Sequence, residues 1–265
     1  MELRAFRIAA IAVGAAALFG ACLAAGEAAA PAGYLQGAAM PDTAKILPAA
    51  PTVDSPRGMA DRAIFKATRS LKDTPRWALA QNDVDESAPA MMRDFSCAMG
   101  ANLTEVGAPH LAELLRRTRA DVIVAVTKPK VLYRRQRPYL IDDGEICVAK
   151  TDSLAASADY PSGHTTWSWT VGLMLAQAEP DRATEILTRA RAYGESRVVC
   201  GVHNASAIEA GRTNGAAVVA ALNGDPAFRA DIAAVAKEIA RLRAAGAQSA
   251  QACAAEAALT ANTPW

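Results

Sequence analysis

Apolar residues recur at helical spacing along most of this chain, and prolines, serines and glycines mark where each run begins and stops. Leu111, Leu114, Leu115, Thr118 and Val122 share one face, while Arg116, Arg117 and Arg119 read as solvated surface opposite it. Ile232, Val235, Ile239 and Leu242 repeat the pattern after Pro226. Apolar types make up 52% of the residues but aromatics only 5%, and alanine fills much of the difference. That balance favours closely packed helices over strands. With no strand ladder, fixed-period repeat or glycine-rich nucleotide loop, the chain is expected to be all-α, a single helical domain.

The helices can be placed from their punctuation. Ser55-Pro56 opens one through about Leu71, with Ser55 as N-cap. Trp77 and Leu79 begin a second piece, ended by the polar run from Asn82 to Ser87. Pro109 starts the third. Thr165 to Ala178 forms an apolar helix, Asp181 to Tyr193 another with Gly194 placed to end it, and a further one follows Asn204 to about Leu222. Pro226 opens the last long helix.

The N-terminus reads as an export signal over residues 1–26: Arg4 and Arg7, an apolar run from Ile8 to Phe19, then small residues. The run is too short for a membrane span. A lipid anchor at Cys22 is the alternative to a plain signal. Residues 27–54, rich in Ala, Pro and Gly, read as a flexible linker, residues 55–245 as the domain, and residues 246–265 as a C-terminal tail. The formal charge of +1 gives no global field towards nucleic acid or membrane, so any cationic character is local. Cys97, Cys147, Cys200 and Cys253 remain after cleavage, an even number that suggests two disulfides in an oxidising compartment, with three pairings open. No cysteine–histidine cluster suggests zinc, and no cofactor is expected.

Three segments carry the chemistry. Lys130 precedes Arg137-Pro138, seven residues apart and so on one face if helical; Arg134 and Arg135 beside them read as solvated. Pro161-Ser162-Gly163-His164 stands just before an apolar helix, where backbone N–H groups favour an anion and Gly163 lets the backbone approach closely. Ser196-Arg197 and then His203 follow, with a bend at Cys200-Gly201. Only three histidines occur in the chain, and two fall in these segments; His110 receives no role. Together they suit a tetrahedral oxyanion: lysine and arginine supply charge, one histidine a nucleophile, the other an acid.

These segments resemble the signature of the phosphatidic-acid phosphatase type 2 and vanadium haloperoxidase superfamily, and most closely that of the bacterial class A non-specific acid phosphatases. The signature runs lysine, six residues, Arg-Pro; Pro-Ser-Gly-His; then Ser-Arg, five residues, His, three residues, Asp. The resemblance implies an all-α, secreted or periplasmic, metal-independent hydrolase of small phosphate monoesters. It implies that His203 attacks phosphorus to form a phosphohistidine, that His164 protonates the leaving alcohol, and that Lys130, Arg137, Ser162, Gly163 and Arg197 hold the phosphoryl oxygens. The sequence leaves the oligomeric state open, a homo-oligomer included.

One position departs. Where the signature has aspartate, this chain has Ala207. That aspartate would fix the nucleophile's tautomer, so its loss implies a slowed enzyme, or a nearly inactive phosphate-binding protein of the same fold. Glu209 lies on the wrong side of a helix to replace it; Ser206 could hold the tautomer without charge. A haloperoxidase is disfavoured by chain length, and an integral-membrane lipid phosphatase by the lack of further apolar spans.

Overall fold

Four helices of this protein start with a capping side chain followed within two residues by proline, and the computed structural model, which describes residues 32–246 and 250–265, shows those caps engaged. Ser55 accepts the N–H of Gly58 at the head of α2 (Pro56–Thr68), after a short α1 (Thr43–Ile46). Thr74 does the same for α3 (Pro75–Asn82), and Ser87 for α4 (Ala88–Met99). The 25-residue α5 (Pro109–Tyr133) follows, then a short α6 (Asp152–Ala156), α7 (Gly163–Ala178), α8 (Ala183–Val199) and α9 (Ala205–Leu222). Asp225 caps α10 (Pro226–Ala245), and α11 (Ala250–Thr260) ends the chain. Among the described residues there is no strand, as expected of an all-α chain.

Helix α7 is the centre. It packs most extensively against α8 and α9, with α5, α10 and α4 closing round it. The main core joins Phe95, Leu111, Leu115, Trp167, Val171, Tyr193, Val218 and Phe228. A second cluster, Phe65, Trp77, Tyr139, Val199 and Val202, sits beneath the α8–α9 turn. Disulfides join Cys97 to Cys253 and Cys147 to Cys200, one of the three pairings left open.

Several expectations are corrected. Helix α8 does not stop at Gly194 but runs on to Val199, carrying Ser196 and Arg197 on its last turn. Gly194 is there for closeness: a Cβ would lie 2.7 Å from Thr165 Cγ2. The bend expected at Cys200-Gly201 is there, with φ +80° at Gly201. Helix α5 stops at Tyr133, so Lys130 and Arg137 do not share a helix face. The expected linker is anchored from residue 34 onward. Asp121 accepts the N–H groups of Tyr34 and Leu35, Thr43 donates to the Ala125 carbonyl, and Tyr160 OH donates to Pro48 O. These ties are irregularly spaced and leave no period to read. The expected tail contains α11, held by Cys253, by Glu256 against Arg189 and by Arg191 on the Thr260 carbonyl. The expected signal segment and Cys22 lie outside the described residues.

Close approach of α9 to α7 depends on Gly211, where a Cβ would stand 2.9 Å from the Ser162 carbonyl and 2.8 Å from Thr165 Cβ. Gly211→Ala is expected to lower stability by about 1–3 kcal/mol through overpacking, measured as a shift in urea midpoint at unchanged slope.

Candidate active site

The three sequence segments converge at the N-terminus of α7, against the α8–α9 turn. Ser162 caps α7: its Oγ accepts the N–H of Thr165 at 3.3 Å, and its own N–H donates to the Ala207 carbonyl at 3.0 Å. Gly163 and His164 therefore occupy the first turn, where free N–H groups concentrate positive potential. Lys130, in the last turn of α5, donates its Nζ to the Ala158 carbonyl. Arg137 lies on the following extended segment, buried, and donates to Ser157 O at 2.7 Å and Val202 O at 2.8 Å. Arg197 is buried on α8; one guanidinium nitrogen reaches Asp83 O at 3.4 Å, while its Nε has no partner among the described residues. A buried, unmatched guanidinium donor is costly unless an acceptor arrives.

His203 follows the Gly201 turn and is 3% exposed. Its Nδ1 lies 2.9 Å from Asp159 Oδ1, and its Nε2 lies 3.2 Å from an Arg137 terminal nitrogen. An aspartate accepts and a guanidinium only donates, so the two contacts fix the tautomer: Nδ1 carries hydrogen, and Nε2 keeps its lone pair. Burial, with Arg137, Lys130 and Arg197 close by, holds the imidazole well below its usual range. Both influences favour the neutral ring, with a lone pair on Nε2.

Asp159 is the residue the sequence reading missed. It is fully buried, and each oxygen is engaged: Oδ1 also accepts the N–H of Asn204 at 3.1 Å, and Oδ2 accepts Asn204 Nδ2 at 2.9 Å with Arg135 at 3.5 Å. Burial pushes the carboxyl upward, and Arg135 and Asn204 pull against it. The expected want of a carboxylate beside His203 is thus corrected. It comes three residues ahead of Ser162, from across the turn, instead of from position 207 on α9. Ala207 packs with Leu47, Tyr160 and Ala210. Ser206 is bonded to Asp61 and Arg135, and Glu209 pairs with Arg57 at the surface.

Among the arginines read as solvated, Arg135 and Arg119 are instead engaged around the site. Arg135 has a side chain only 10% exposed and bridges Asp61, Asp159 and Ser206. Arg119 pairs with Glu86 and lies over the Trp167 ring. Glu86 belongs to the loop between α3 and α4, which the sequence marks only as a helix stop. That loop forms the wall facing α7 and α8. Asp83 binds Arg189 and Ser196, Val84 O meets His164 Nε2 at 3.0 Å, and Glu86 Oε2 lies 3.3 Å from His164 Nδ1. Among the described residues no group of His, Cys, Asp and Glu could hold a metal ion.

Residues 115–228 match the PAP2 superfamily model. The chain is 40% identical over 194 residues to an acid phosphatase of Zymomonas mobilis, covering 73% of this chain and 74% of that one. The chain belongs to the bacterial acid phosphatases of the PAP2 superfamily. Non-specific acid phosphatases of Salmonella typhi and Providencia stuartii are 34% and 33% identical, over 73% and 79% of this chain and 78% and 86% of theirs. The matched span holds all three segments, Asp159 included, while Glu86 lies outside it.

His164 and His203 are both held well below the ordinary histidine range by burial. Their unfolded forms take up protons near pH 6.5 and their folded forms only at lower pH, so each lowers stability as pH falls below about 6.5. Relative to the wild type, His203→Gln is expected to flatten the decline between pH 6.5 and 5 by up to about 1.4 kcal/mol per pH unit, measured by urea denaturation across that range.

Proposed function

We propose that this protein hydrolyses phosphate monoesters outside the cytoplasm, through a phosphohistidine on His203. The observation that carries the reading is the nucleophile itself: a neutral imidazole, its tautomer fixed by Asp159, with its Nε2 lone pair facing Arg137, and Lys130 and Arg197 close by. Lys130, Arg137, Arg197, Ser162 and the Gly163 N–H hold the phosphoryl oxygens. The unmatched Arg197 Nε supports an anion there. At Gly163 a Cβ would meet only Val126 of the protein, at 3.6 Å, so the need for glycine comes from what binds. The two disulfides suit an exported protein.

In the first step the Nε2 lone pair attacks phosphorus, and the bond to the ester oxygen breaks with its electrons on oxygen. His164 gives that oxygen its proton, and the alcohol leaves. In the second step water attacks phosphorus, His164 takes the water's proton, and the P–N bond returns its electrons to Nε2. Asp159 stabilises the positive charge that develops on the His203 ring, as carboxylates do for such imidazoles. A nearly inactive phosphate-binding protein loses its motive, because the carboxylate missing at Ala207 is supplied by Asp159.

With nitrophenyl phosphate as substrate, His203→Ala is expected to abolish turnover. Asp159→Asn should lower kcat by about two to four orders of magnitude while inorganic phosphate still binds. Ala207→Asp alone should bring no gain; a large gain would mean that Asp159 does not serve the nucleophile.

Phosphate affinity should also report Lys130, whose ammonium is pushed down to about 8 by burial, with Arg137 adding to the effect. Above that pH the free site must take up a proton to bind phosphate. Competitive inhibition by phosphate should therefore weaken, by up to about tenfold per pH unit, and the break should vanish in Lys130→Arg.

A further inference from the structure

His164 hydrogen-bonds through Nε2 and faces a carboxylate oxygen through Nδ1, and that oxygen makes no hydrogen bond among the described residues. Val84 O, 3.0 Å from Nε2, is a carbonyl and can only accept, so Nε2 carries a hydrogen in either protonation state. The proton that His164 gains and loses is therefore the one on Nδ1. The group facing Nδ1 is Glu86 Oε2, at 3.3 Å. Glu86 is placed by three elements: its carbonyl accepts Trp167 Nε1 at 3.1 Å from α7, its carboxylate pairs with Arg119 from α5, and Ser87 next to it caps α4. Its side chain is 26% exposed, so it has a solvent side as well as a His164 side.

We propose that Glu86 is the proton partner of His164, exchanging with solvent the proton that Nδ1 must carry when an ester binds. The proposal rests on the reading of His164 as the acid. In the first step the Nδ1 proton passes to the ester oxygen as the P–O bond breaks, which leaves Nδ1 with a lone pair. In the second step that lone pair takes the proton of the attacking water, and the ring returns to its protonated form. Between turnovers Glu86 passes protons between solvent and Nδ1, so that the free site carries its acid when the ester binds. Glu86 is a positioning residue, acting on the substrate only through His164.

The charged groups facing Glu86 are Arg119 and Lys130 from α5, Arg197 from α8, His164 from α7 and Asp85 on its own loop. Burial raises its carboxyl and the cations lower it. The same burial lowers His164, with Arg197 assisting. The two groups are thereby brought towards each other, as a relay requires.

Leaving-group dependence separates this role from a structural one. An alkyl oxygen needs its proton in the transition state, whereas nitrophenolate leaves without much help. In Glu86→Gln, kcat/KM for glycerol phosphate is expected to fall about 10- to 100-fold, against less than about threefold for nitrophenyl phosphate. The alkaline limb of kcat/KM for the alkyl ester should move to lower pH, because the anion favouring the imidazolium is gone. Equal losses on both esters, or none on either, would overturn the proposal. Should Glu86→Gln fail to fold, Arg119→Met leaves the relay in place but removes a cation that disfavours its proton. The alkaline limb should then move to higher pH, and an unmoved limb overturns the proposal. His164→Ala provides the separate check: it should show the same split between esters. A loss independent of the ester would overturn the reading of His164 as acid, and the proposal with it.

Discussion

A carboxylate with no exposure to water is tolerable only where each oxygen is met by donors, and Asp159 satisfies that condition while gripping His203. The arrangement around it follows from this demand. Asn204 supplies two N–H groups and at the same time begins α9. Arg135 supplies charge and is itself anchored by Asp61 from α2. Arg137 sits on the far side of the imidazole and ties the same turn through Val202. Removing any of these leaves a buried charge or donor without its match.

The helical class, the helix starts at Pro56, Pro109 and Pro226, and the three site segments were legible because each is written locally: a cap, a proline, a period or a contiguous motif. The partner of His203 was not, because a sequence separation of 44 from Asp159 is closed only by the fold. Arg135 and Arg119 were read as surface for the same reason. Nothing adjacent in sequence says that Asp61 or Glu86 will be brought against them. Gly194 misled through its type. Glycine commonly ends helices, but here it lets two helices touch at Thr165. The anchored segment after residue 34 was missed because backbone N–H groups held by one aspartate leave no apolar pattern.

The loop between α3 and α4 shows how few residues a wall can need. Four consecutive positions each make a different long-range bond: Asp83 to Arg189, Val84 to His164, Asp85 O to Tyr193, and Glu86 to His164 and Arg119. Arg189 in turn is braced by Glu256 on α11, so the Cys97–Cys253 disulfide reaches the site through that buried arginine.

The packing of Ala207 against Leu47, Tyr160 and Ala210 has a consequence for descent. In the family signature that position is an aspartate; here the space is apolar and is closed by the segment before α2. A carboxylate at 207 would enter a buried, apolar space beside an imidazole that already has Asp159 as its partner. The two positions are therefore coupled: Asp159 becomes dispensable only if 207 carries an acid, and 207 can carry one only if Leu47 and Tyr160 give way.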